Sequence, residues 1–124
     1  MNNSEIIKAD VLIAGAGIAG MKAACTAAAK GSSVTVIAKS ADAASNYVLG
    51  FNAPLAPDDS AELYAKDTSK GGGEINNPKL VKILSENAVS EVEFVEKTGL
   101  EFDRDGSGYR LLKPLGCTVP RLVH

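Results

Sequence analysis

Three glycines, Gly15, Gly17 and Gly20, follow the apolar run "DVLIA" and lead into an alanine-rich stretch that begins at Ile18. Between a strand and a helix, that spacing suits the holding of a diphosphate by backbone alone. Gly15 allows the tight turn out of the strand. Gly17 carries no Cβ, so a pyrophosphate can approach the chain, and Gly20 lets helix and strand pack closely. The N–H groups of Ile18, Ala19 and Gly20 would point at the phosphate oxygens, with the positive end of the helix dipole behind them. A strand-to-helix turn that binds nothing can carry the same glycines, so the flanking elements must decide.

Other reactive residue types are sparse. Cys25 and Cys117 lie in no C-x-x-C pair, and the single histidine, His124, is the last residue, so no metal site is expected within the chain. No His or Lys partner stands in the segment around Cys117, which reads as a small buried residue rather than a nucleophile. The "GGG" at 71–73 has no Lys-Ser/Thr after it and is not a phosphate loop. Asp103, Arg104 and Asp105 read as turn and surface residues. A net charge of −2 and a pI near 5.4 leave no basic footprint, so nucleic acid is not expected as a partner. Two cysteines outside any framework, no signal-peptide pattern in Met1–Lys8 and an apolar stretch too short to span a bilayer point to the cytoplasm.

The elements needed to position the glycines are legible. "ADVLIAGAG" suits a fully buried strand, Ile18 to Lys30 is built of helix formers with Gly31 at the C-cap, and Ser32 to Ala38 is a β-branched second strand. Strand, glycine turn, helix and strand make a βαβ unit, whose crossover renders the strands parallel. Further on, a helix around Ala61–Ser69 is capped by Ser60 or Asp59 and ended by the glycines at 71–73. A longer helix starts with Asn77 as N-cap and Pro78 at the first helical position. Its apolar residues Leu80, Leu84, Ala88, Val92 and Val95 recur at three- and four-residue steps towards Gly99. "EFDRDGSGYRLL" alternates about a D-G turn and predicts a β-hairpin. The length of 124 residues, with 45% hydrophobic and 23% charged residues, fits one globular domain. The fold class is therefore α/β: a Rossmann-like βαβ dinucleotide-binding domain with added helices and a β-hairpin.

The acidic residue that grips a ribose 2′-OH should end the second strand, about 20 residues beyond the glycines. Lys39 and Ser40 stand there instead. Lys39 meets the 2′-phosphate of NADP, or the ligand is FAD in a family that uses backbone and Ser/Lys contacts, or Lys39 is a solvated loop lysine. The glycines alone do not choose.

The second half bears on that choice by resemblance. After the "K-S" pair come an "S-x-x-x-x-x-G" segment, Ser45 to Gly50, then "DDSAELYAKDTSKGGG", the helix start "NNP" and "GLEFDRDG". This ordered set, over nearly the whole chain, resembles the N-terminal FAD-binding region of the succinate dehydrogenase/fumarate reductase flavoprotein family, which includes L-aspartate oxidase. Lysine after the second strand is common in that family, so the resemblance implies FAD. It also implies that the segment from Ser45 to Gly50 lies beneath the flavin. Backbone N–H groups around Gly50, Phe51, Asn52 and Ala53 would lie against the flavin edge, although the family's Ala-Gln/Glu-Gly-Gly is absent and Phe51 reads equally as a core aromatic. Asn46 stands where respiratory members carry the histidine that bonds to the flavin, which implies non-covalent FAD.

"KPLGCTVPRLVH" lacks the Glu-Gly-Gly-His-Ser of aspartate oxidases and is more similar to the Gly-Ala-Ser-Val-x-Arg run of soluble fumarate reductases. The function implied is the FAD-binding part of an oxidoreductase that transfers hydride between flavin and a C4-dicarboxylate or similar enoate. In that family the arginine acid, the substrate-clamping histidine, the Thr-Glu pair and the capping domain lie beyond residue 124. The chain is therefore read as truncated relative to the family, with no catalytic residue of its own and with apolar surface that favours self-association. Two other readings stand beside this one: a non-catalytic remnant of an FAD family, and an NADP-binding Rossmann fragment. The residues name no electron-transfer partner.

Overall fold

Val11–Ala14 (β1) and Val34–Ile37 (β2) are apolar and largely β-branched, and they pair in parallel, in register from Val11↔Val34 to Ala14↔Ile37. This comes from a computed structural model that describes residues 6–39 and 48–124. The chain divides into two compact units, Met1–Val48 and Leu49–His124. In the first, helix α1 (Ile18–Ala29) is the crossover between the two parallel strands. It stops one residue earlier than the sequence reading has it, with Lys30 as the C-cap; Gly31, just beyond, adopts a left-handed φ of +85°, and the N–H of Ser32 turns back to the Ala27 carbonyl. Ahead of β1, the Asp10 carboxylate accepts hydrogen bonds from the Ser33 N–H and hydroxyl, at 2.8 and 2.6 Å. These bonds tie the entries of both strands together and hold the Asp10 carboxyl below its usual range. None of the α1 side chains is buried.

The second unit is built on two helices, α2 (Ala61–Gly71) and α3 (Pro78–Lys97). Ser60 caps α2 by accepting from the Leu63 N–H, and Asn77 caps α3 by accepting from Lys79 and Leu80. β3 (Phe51–Asn52) pairs antiparallel with β6 (Leu122–Val123), joining two segments about seventy residues apart in sequence, Phe51 opposite Val123. The predicted hairpin is present but short: β4 (Arg104–Asp105) and β5 (Gly108–Tyr109) are joined through Gly106 and Ser107, with Gly106 at a φ of +60°. The core comprises Ala53, Tyr64, Ala88, Val92, Phe102 and Val123, with the Phe102 ring edge-on to both Phe51 and Tyr109.

One expectation fails in the first half of α3. The buried stripe runs Val81, Ser85, Ala88, Val92, whereas Leu80 and Leu84 are exposed. The period is right and the phase is one residue off. Ser85 is small and its hydroxyl bonds back to the Lys82 carbonyl, so it can face a neighbouring helix without an orphaned polar group. Leucines carry the stronger hydrophobic signal in sequence and draw the reading to the wrong face.

Candidate flavin-binding elements

The glycine loop has the geometry of an anion cradle. Gly15 leaves β1 at a φ of +109°, a left-handed conformation that disfavours any side chain, and its N–H donates to the Ile37 carbonyl at 2.7 Å. The loop is thereby fixed to the end of β2. Gly17 is the N-cap of α1 with extended backbone and no side-chain cap, and the first turn holds no acidic residue. Helical bonding starts with the Met21 N–H donating to Gly17, so Ile18, Ala19 and Gly20 present the donors that a helix start leaves unpaired. A Cβ built on Gly17 would meet nothing within 4 Å among the described residues. On Gly20 a Cβ would overlap the Gly15 carbonyl oxygen, with the Ile13 side chain next to it. Gly15 and Gly20 thus meet the turn and the close packing read from the sequence. The donors, the bare Gly17 and the dipole fit a diphosphate.

Lys39 lies two residues after β2 and is exposed. Ser40, Ser45 and Asn46 lie outside the described residues.

In the second unit, Gly50, Phe51 and Asn52 enter and form β3. A Cβ on Gly50 would overlap the Val123 carbonyl oxygen, so only glycine lets the chain pass β6 at this distance. Phe51 and Asn52 also line an apolar groove of about 570 Å³, with Tyr64, Leu84 and Val92 among its walls. Phe51 is half-buried and packs against the core, so its aromatic-core role is fulfilled. Cys117 is half-buried with a free thiol, less enclosed than the sequence reading has it. Arg104 pairs with Glu96 and lies 4.1 Å over the Tyr109 ring, while the Tyr109 hydroxyl donates to Glu96 at 2.7 Å. The tyrosine's bond, with the arginine's in support, holds the Glu96 carboxyl below its usual range.

Sequence reasoning misses the most enclosed polar group of the described chain. Arg121 is fully buried, and its Nη2 lies 3.0 Å from both Asp59 Oδ1 and Asp67 Oδ2. Its guanidinium stands 4.9 Å from the Tyr64 ring centre. Asp67 also accepts from the Thr118 N–H and hydroxyl, both at 2.7 Å. Those two bonds lower its pKa, with Arg121 adding to the effect. A signal exists in the sequence: an arginine within the apolar "TVPRLV" must find a carboxylate elsewhere in the chain.

Comparison with known proteins agrees with this geometry. A family model described as "FAD binding domain" matches residues 10–123. An uncharacterized FAD-dependent oxidoreductase of Methanocaldococcus jannaschii is 40% identical over 114 residues, covering 89% of this chain and 21% of the relative. A fumarate reductase (CoM/CoB) polypeptide of Methanothermobacter marburgensis is 36% identical over 120 residues, covering 91% of this chain and 22% of the relative. Among solved structures, Mycobacterium smegmatis Sdh1 in complex with UQ1 superposes with a TM-score of 0.85 at 32% identity, covering 94% of this chain and 20% of that one. The chain thus spans about a fifth of the length of these relatives. Among the described residues no helix is long and apolar enough to cross a membrane. By its glycine loop, its fold and its matched sequence, the chain belongs to the FAD binding domain family, and it is similar to the FAD-binding region of fumarate reductase and succinate dehydrogenase flavoproteins.

Proposed function

We propose that this domain serves an oxidoreductase that moves a hydride between flavin and a C4-dicarboxylate or similar enoate, with FAD held non-covalently in the cytoplasm. The observation that carries the FAD-binding part is the bare start of α1: among the described residues, three N–H donors without partners, no acidic side chain in the first turn and nothing within 4 Å of a Cβ on Gly17. Ile18, Ala19 and Gly20 hold the diphosphate by N–H donation, while Gly15 and Gly20 set the loop. Lys39 and Ser40 belong with the adenosine end. Ser45, Asn46, Gly50, Phe51 and Asn52 belong with the flavin ring, Asn46 offering no nucleophile for a covalent link. When bound, FAD supplies the hydride chemistry. The chain's own residues bind and orient it. On this reading the proton donor and the substrate clamp lie outside residues 1–124. The similarity to a fumarate reductase polypeptide supports the dicarboxylate class. Exposed Leu12, Leu49, Ile83 and Leu115 support self-association of the separate domain.

The test is titration of FAD and, separately, NADP into the 124-residue protein, followed by flavin fluorescence and calorimetry. Weak FAD binding and no NADP binding is the expected result; preference for NADP overturns the assignment. Fumarate-dependent oxidation of a reduced dye, with FAD added, should stay at the free-flavin background. Turnover above background would put the catalytic machinery inside this chain.

A further inference from the structure

We propose that Arg121 is a positioning residue for the Gly50–Asn52 segment, a role that rests on the reading of that segment as the flavin edge. The backbone carbonyl of Arg121 accepts the Ala53 N–H at 2.9 Å, one residue beyond Asn52. Its N–H donates to the Leu112 carbonyl at 3.1 Å, so the residue stands between two backbone segments. Its side chain reaches α2 at two points, Asp59 just ahead of the Ser60 cap and Asp67 in the second half of the helix. Thr118 binds Asp67 from the same loop and closes the knot. β6 then passes so near Gly50 that only glycine fits against the Val123 carbonyl. The position of Gly50 to Ala53 is thus set from one side by β6, and β6 is anchored to α2 through one guanidinium.

The manner of burial argues for this duty rather than for stability. Arg121 Nε and Nη1 and Asp59 Oδ2 are buried without hydrogen-bond partners among the described residues. A buried ion pair left partly unmatched is often no more stable than an apolar replacement of the same volume. What an apolar side chain cannot do is fix the direction and distance of β6 from two points on α2. Both carboxylates converge on a single nitrogen, which defines that distance.

The experiment uses Arg121→Lys, which keeps the charge and loses the planar fork, in the 124-residue protein with FAD as the probe. Amide exchange should accelerate about tenfold at Ala53 while Ala88 and Val92 keep their protection. The Kd for FAD should rise about tenfold, and the visible flavin band should shift. Exchange at Ala53 at the wild-type rate, or acceleration of the whole unit together, overturns the proposal. So does a loosened Ala53 with FAD affinity and band position unchanged. Should the lysine variant fail to fold, Thr118→Val leaves all three charges in place and should produce the same changes on a smaller scale; no change there overturns the proposal as well. Failure of the wild-type protein to bind FAD counts against the reading under Proposed function, and Ala53 exchange then still decides whether Arg121 holds the strand.

Discussion

A Cβ on Gly20 would collide with the carbonyl oxygen of Gly15, because the first turn of α1 lies directly against the loop leaving β1. Gly20→Ala should therefore destabilise the first unit by about 1–3 kcal/mol, the usual cost of forcing extra volume into a close contact. Gly17→Val is the opposite case. Its Cβ would meet nothing within 4 Å among the described residues, so the fold should change by less than about 1 kcal/mol at this N-cap position while FAD binding is lost. Thermal melts of both variants alongside FAD titration check the pair. A Gly17→Val protein that binds FAD at wild-type affinity refutes the cradle.

Asp67 gives the second unit an acid limit. Its folded pKa lies below 3.8 because Thr118 donates twice to the carboxylate. A lowered folded pKa stabilises in full above the unfolded value, and the benefit disappears as pH falls through the folded one. Stability measured from pH 7 down to pH 2 should thus fall once the pH drops below the ordinary aspartate range, and Thr118→Val, which removes the hydroxyl bond, should shrink that fall. An identical acid profile in the variant would show that the hydroxyl bond to Asp67 does not set it.

Asn77→Ala should cost about 1 kcal/mol, since it removes the acceptor for the Lys79 and Leu80 N–H groups at the start of α3. Asn77→Gly should cost only a few tenths of that unit. Chemical denaturation of the two variants checks the order. Equal losses would mean that Pro78 and the packing of Val81, not the cap, hold this helix end.

On the proposed placement of Asn46 at the flavin ring, where it offers no nucleophile, flavin bound to this protein should be released by acid or heat. Precipitation followed by absorbance of the supernatant is the measurement. Flavin that remains with the pellet would show that another residue makes the link.

The βαβ unit, both helix caps and the hairpin were legible because each is encoded locally: Gly15 by its turn, Asn77-Pro78 by its cap, Gly106 by its loop. The family was legible from the order of such landmarks. The pairing of β3 with β6 was not, since Phe51 and Val123 carry no local mark of each other. Nor was the Arg121 knot, whose three charged members are spread from Asp59 to Arg121 and meet only through tertiary packing. The phase of α3 was misread for a related reason: the sequence displays its leucines, while the packing uses Ser85.

The proposed seating of a diphosphate at the start of α1 has a consequence for how the domain persists in a cell. A ligand seated at the start of that helix raises stability in proportion to the logarithm of its free concentration, by about 2.7 kcal/mol at one hundred times Kd. Cofactor supply then acts as a quality-control signal. Polypeptide made when flavin is scarce should be the first to be cleaved, and the amount of this domain that survives proteolysis should follow flavin availability.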